Sequence, residues 1–252
     1  MMRQMKTRAW RMLNPIFDWR RTLAALSNYP SFWFDLRRYR ALGGTAKSRD
    51  LFPQLHDQMP SSPYDPHYFF QDTWAARRIA EHAPASHVDV GSRVDLVGFL
   101  TAITQVTFVD IRPLEVEIEG LTSVEGSVLK LPFADFSIES LSCLHVAEHI
   151  GLGRYGDDLD PAGTASAAVE LTRVLAPGGH LLFSGPVGRA RTMFNAHRVQ
   201  TPQESRDMFP GLELVEFAGV DDQGRFARHR SMVELTECEY GCGMFLLRRP
   251  RG

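Results

Sequence analysis

The sequence predicts an α/β fold, a mostly parallel sheet with helices on both faces, and three observations predict it. A short buried run, His87-Val88-Asp89-Val90, meets a tight turn at Gly91-Ser92. From Ser86 onward, strand-length apolar segments alternate with segments of helical period, a pattern that calls for crossover connections and so for a parallel sheet. Asp110 closes the next strand candidate 21 residues after Asp89, near the spacing of about 20 at which a carboxylate reaches a ribose hydroxyl in nucleotide-binding αβ units. The composition is globular, with 252 residues, 44% hydrophobic, 23% charged and a net charge of −2, enough for one such domain plus an extension.

The extension comes first. Residues 1–50 carry eleven Lys or Arg against three acids, a local charge of +8, whereas the remainder carries −10. Trp10, Phe17, Trp19, Tyr29, Phe32, Trp33, Phe34 and Tyr39 interleave with those cations. Two readings follow: a helical extension that packs its aromatics on the domain, or a basic amphipathic arm over residues 1–40 that lies on an anionic membrane surface. Nucleic acid is not expected as a partner, because the body is acidic and its strands show no aromatic recognition motif. Gly43-Gly44, Pro53, Pro60, Pro63 and Pro66 punctuate a linker from Leu42 to Pro66, which sets the division at 1–66 and 67–252.

No run reaches the 18 to 20 apolar residues of a spanning helix, and no apolar core with a cleavage site opens the chain. Cys143, Cys238 and Cys242 cannot all pair, and a lone C-x3-C does not make a zinc site. A reducing, cytoplasmic location fits, peripheral at the inner membrane face if the arm binds lipid.

The domain then reads in order. Phe69, Phe70, Trp74 and Ile79 give Tyr68 to His82 a helical stripe that stops before Pro84. Strands follow at Ser86–Val90, Gln105–Val109, Leu121–Glu125 and Ile138–Leu144, with a short helix reaching about Thr101 between the first two. Thr164–Leu175 is helical and closed by Pro177-Gly178-Gly179, and His180–Ser184 is the fifth strand. Leu212–Phe217 and Gly243–Leu247 are late strands suited to an antiparallel edge.

Three separated pieces resemble a known family. The loop "SVLKLPFADFSIESL", then "CLHVAEHI", then "ELTRVLAPGGHLLFSGP" are similar to class I S-adenosylmethionine-dependent methyltransferases over about Val88 to Pro186. "LHVAEHIGLGRYGDDLDPAG", with "VDVGS" and "DIRPL", resembles a little-characterised bacterial and nematode family known only as a domain of unknown function. The resemblance implies a Rossmann-like fold, S-adenosylmethionine as cofactor and methyl transfer. It assigns Asp89 and Gly91 to the methionine side, Asp110 to the ribose hydroxyls, Ser127 and Val128 to the loop flanking the adenine, and Leu144 and His145 to the end of the fourth strand beside the cofactor, with Ser92, Arg93, Ile111 and Arg112 as further cofactor-binding residues. The family pattern has glycine where Arg93 and Asp95 stand and an acid near Ser127. For Asp110 the alternative reading is a strand-end residue that caps a turn.

On the acceptor side, His149 is the expected proton acceptor, with Glu148, Tyr155 and Asp157 beside it on a glycine-rich, acidic loop after the fourth strand, where ligands bind in open α/β sheets. The same loop also reads as an ordinary solvated turn. Asp160, Asn195, His197 and Arg198 complete a rim suited to a small-molecule, sugar or glycan acceptor, phosphorylated or lipid-linked. Two other functions stay open: a non-catalytic binding or scaffold protein on an altered methyltransferase fold, and a metal-dependent hydrolase on the H-x-x-E-H of His145, Glu148 and His149. The hydrolase chemistry needs both histidines on one face of a sustained helix, and Gly151 and Gly153 end any helix there at once. No metal ligand set is therefore assigned.

Overall fold

A computed structural model describes residues 18–251, and the chain divides into two compact units that meet between Tyr64 and Asp65. In the first unit, Asp18 accepts the Arg21 amide at 3.1 Å and opens helix α1, Trp19–Ala41. Trp19, Leu23, Leu26 and Trp33 recur at intervals of one or two helical turns and are exposed within this unit. Residues 1–17, with Trp10 and Phe17, lie outside the described residues.

The second unit starts with α2, Pro66–His82, where Asp65 accepts the His67 amide at 2.9 Å and Pro66 fills the first helical position. Such a cap satisfies an amide the helix leaves free. Next come β1 Ser86–Val90, α3 Val94–Leu100, β2 Gln105–Asp110, β3 Leu121–Glu125, β4 Ile138–Leu144, α4 Gly163–Val174 and β5 Leu175–Val187. A small hairpin, β6 Arg191–Met193 with β7 His197–Val199, precedes α5 Pro202–Asp207, β8 Glu213–Val220, β9 Phe226–Arg228, α6 Met232–Thr236 and β10 Gly241–Arg248. The main sheet runs β3-β2-β1-β4-β5-β10-β8-β9. Strands β1 to β5 pair in parallel, whereas β10 and β8 are antiparallel. The strand order reverses between β1 and β4, which makes that crevice the switch point where open sheets bind ligands.

Side chains alternate across this sheet with period two. Leu181, Phe183, Phe245 and Leu247 face α4 and α6, while Leu182, Met244 and Leu246 face α2 and α3. The helices thus cover both faces. Two expectations shift. Strand β5 starts at Leu175 rather than His180, because the Pro177-Gly178-Gly179 stretch re-enters the sheet through a register shift opposite β4 instead of closing the helix in a free turn. The chain's last strand, β10, is the inner member of the antiparallel group, buried at every residue but Arg248.

Candidate functional site

The turn after β1 begins on a network that lies below it. Asp89 is wholly buried; its Oδ1 accepts the Ser92 amide at 3.0 Å and its Oδ2 the Ser142 hydroxyl. With the Ser142 proton committed to Asp89, the Ser142 oxygen accepts from His87 Nε2 at 2.8 Å, and His87 Nδ1 then accepts from Ser140 at 2.7 Å. Burial holds His87 down at about 3 and pushes Asp89 up to about 6. Asp89, expected on the methionine side, therefore does not line the cleft; it braces the turn, since its carboxylate points back into the sheet.

Gly91 takes φ +67°, and a Cβ there would sit 3.2 Å from Val146 and 3.6 Å from Asp110 Oδ2. A side chain would be strained and crowded at once. Around this turn a cleft opens at the carboxyl ends of β1, β2 and β4, where open α/β sheets bind ligands. Asp110, Ile111 and Arg112 form one wall, Ser127 and Val128 a second, and His145, His149, Tyr155 and Asp157 a third. A second, continuous recess holds Ser92, Arg93, Leu144, Tyr68 and Arg154. Every expected cofactor residue except Asp89 thus lines one of the two. Asp110 Oδ1 also accepts the Arg112 amide at 2.8 Å, so the turn-capping and cleft-facing readings are both met by one carboxylate. Arg93 pairs with Asp95 at 2.8 Å and lies over the Tyr68 ring, filling space that glycines would leave empty.

The loop after β4 is held, not loose. Asp157 accepts the Gly151 amide at 2.6 Å and the Tyr155 amide at 3.2 Å, and Arg112 stacks on Tyr155 across the cleft at 4.8 Å. Arg198, expected to meet an anionic substrate, instead donates to the Ile150 and Asp160 carbonyls and to Thr164. It clamps the loop, because three acceptors already surround its guanidinium.

His149 Nδ1 bonds the Ala196 carbonyl at 2.6 Å, which leaves Nε2 as the lone-pair nitrogen, 3.8 Å from Glu148 Oε1. Burial pushes the ring down to about 4, so it is neutral at pH 7. Glu148 is only 4% exposed and outside both recesses, and neither of its oxygens has a hydrogen-bond partner among the described residues. Its burial pushes it up to about 8. The H-x-x-E-H segment forms one 3-10 turn, Ala147–His149, and His145 takes φ +56°. The two imidazoles diverge, His145 toward Ser184 and His67, His149 toward Ala196 and Tyr155. The hydrolase arrangement is therefore absent: two histidines four apart share a metal only on a continuous helix. Tyr68, His67 and Cys242, none of them expected at a site, surround His145 instead, and Tyr240 stacks on His67.

No curated protein matches the chain. Among solved structures, the [4+2]-cyclase SpnF is similar with a TM-score of 0.55 at 13% identity, over 78% of this chain and 86% of its own. The N-methyltransferase NodS from Bradyrhizobium japonicum WM9 is similar at 0.53 and 16% identity, over 74% and 98%. A methyltransferase assigned by similarity from Bacillus halodurans C-125 reaches 0.50 at 16%, over 71% and 99%. At such identities the likeness is one of fold, a class I methyltransferase fold. The sequence profile described as "Caenorhabditis protein of unknown function, DUF268" matches residues 107–237, from β2 through α6 and more than half of the chain, and on that span the protein belongs to the DUF268 family.

Proposed function

We propose that the chain is an S-adenosylmethionine-dependent methyltransferase that acts on an oxygen of a sugar or glycan-related acceptor in the cytoplasm. The observation that carries this reading is the cleft at the switch point, where Asp110 Oδ2 faces the glycine turn and apolar Ile111 and Val128 stand on either side. A carboxylate for a diol, apolar side chains for a purine and a turn with room for backbone alone match the three parts of that cofactor in turn. When bound, the cofactor supplies a methyl group already activated on its sulfonium, so the chain has only to align and deprotonate an acceptor.

Asp110 holds the ribose hydroxyls in this reading, Arg93 offers a cation to the amino-acid end, and His149 Nε2 takes the acceptor proton. The basic arm would bring the enzyme to an anionic membrane carrying a lipid-linked acceptor. Calorimetric titration of the full chain with S-adenosylmethionine and S-adenosylhomocysteine tests the cofactor. Binding of both, weakened about tenfold to a hundredfold by Asp110→Ala, is the expected result, since a hydrogen bond to a charged group contributes about 1.5 to 3 kcal/mol. A folded protein that binds neither would leave the scaffold reading in its place.

A further inference from the structure

We propose that His67, His145 and Cys242 form a site for one zinc ion, with three protein ligands and an open fourth position. The site shares His145 with the wall of the cleft, but it does not rest on the methyltransferase reading. It arises because three distant segments end at the same edge of the sheet. His67 is in the first turn of α2, His145 directly follows β4, and Cys242 is near the start of β10, opposite Pro186 at the end of β5. One ligand atom from each lies within 4.8 Å of the other two. Tetrahedral zinc with nitrogen and sulfur ligands sets such atoms about 3.3 to 3.6 Å apart, from bond lengths of about 2.0 to 2.3 Å. Closing the site therefore takes about an ångström of side-chain movement, and His67, only half-buried, sits on a helix end.

Two observations separate this cluster from ordinary packing. The first is the tautomer of His145. Gln71 donates its amide to Asp72 at 3.0 Å, so its carbonyl oxygen faces Ser184 and accepts the Ser184 hydroxyl. The Ser184 oxygen is left to accept from His145 Nδ1 at 3.3 Å. His145 Nε2 consequently carries a lone pair, and it is buried with no hydrogen-bond partner among the described residues. A ring fixed through one nitrogen with the other bare is how a metal-binding imidazole is held. The second is Glu148, whose two buried oxygens also lack hydrogen-bond partners among the described residues. The donor set of two imidazoles and a thiolate selects a borderline-soft ion over magnesium or calcium. An open groove lined by Asp65, His67, Asp222 and Tyr240 gives an ion a path inward. Zinc binding would release the Cys242 thiol proton to solvent.

The test uses the full chain, purified under reducing conditions without chelator. Zinc analysis should give one equivalent per chain. After stripping, cobalt(II) titration should give one tight equivalent with a thiolate-to-cobalt charge-transfer band in the near ultraviolet. Cys242→Ser should abolish that band, His145→Ala should weaken binding at least about tenfold, and Cys238→Ser should leave both unchanged. Circular dichroism shows which variants fold. Where Cys242→Ser does not, wild type and Cys238→Ser decide by themselves. A folded wild type that takes up neither metal in stoichiometric amount overturns the site, as does a cobalt complex without the thiolate band or one that keeps it in Cys242→Ser.

Discussion

His149, partly buried, and His87, fully buried, have different uses. His149 carries its lone pair on Nε2 because Nδ1 is committed to the Ala196 carbonyl, and Arg154 Nη1 approaches that nitrogen at 3.5 Å. His149→Ala is accordingly expected to lower turnover by about 10² to 10⁴ while cofactor affinity stays within about twofold, as general-base losses do; steady-state kinetics with a confirmed acceptor, set beside calorimetry, checks it. His87 lies in a closed chain of hydrogen bonds from Ser140 to Asp89. Its folded pKa, about 3, is below its ordinary 6.5, so its contribution to stability is full above pH 6.5 and is lost as pH falls toward 3. Asp89 has the opposite sign: raised from 3.8 to about 6, it stabilises fully below pH 3.8 and loses that contribution as pH rises through 6. Between about pH 4 and 6 the two nearly cancel. His87→Gln removes one limb, so its deficit against wild type should shrink by about 1.4 kcal/mol per pH unit below 6.5, measured by urea unfolding at a series of pH values. A deficit constant from pH 4 to 7 would mean that His87 is not the buried neutral base described.

Among the elements, β10 is buried at every residue but Arg248. Phe245 is 1% exposed and packs between Phe183 and Phe217, with ring centroids 6.2 and 4.9 Å away. Phe245→Ala should cost about 3 to 5 kcal/mol, the usual loss for an aromatic truncated in a core. Val233→Ala on α6, where the valine is 76% exposed, should change stability by less than about 0.5 kcal/mol. Denaturant midpoints at unchanged slope distinguish these outcomes. Trp74 links this region to α2 by donating to Glu216 at 2.9 Å, and Arg78 and Arg228 flank the same carboxylate. A buried charge is tolerated there because three donors meet it.

Across the whole molecule, charge is divided between a basic extension and an acidic body. No helix among the described residues is long and apolar enough to cross a membrane. Attachment by the arm would be interfacial, with about 1 kcal/mol from each basic residue near an anionic surface and further burial from tryptophan. Sedimentation with phosphatidylserine-containing vesicles should capture the full chain, and capture should weaken between 0.1 and 0.5 M salt, as the Debye length shrinks from about 10 Å. Deletion of residues 1–40 should abolish capture, and neutral vesicles should give none. Binding that ignores salt, or that survives the deletion, would exclude the electrostatic arm.

Much of the fold was legible from the sequence because strand and helix periods are local properties. The alternation from Ser86 to Ser184 predicts the parallel half of the sheet. Gly91 and Asp110 announce the cleft, since a turn that excludes side chains and an acid at a strand end are each one-residue statements. Asp89 and Arg198 look like binding groups in one dimension, because a free charge and a satisfied one are spelled alike. Only the packed structure shows Asp89 turned into the Ser142 and Ser92 donors and Arg198 surrounded by carbonyls. The cluster of His67, His145 and Cys242 spans 175 positions and follows no spacing rule. Its existence depends on β10 inserting beside β5, and long-range strand pairing of that kind is decided by which apolar faces bury together in three dimensions.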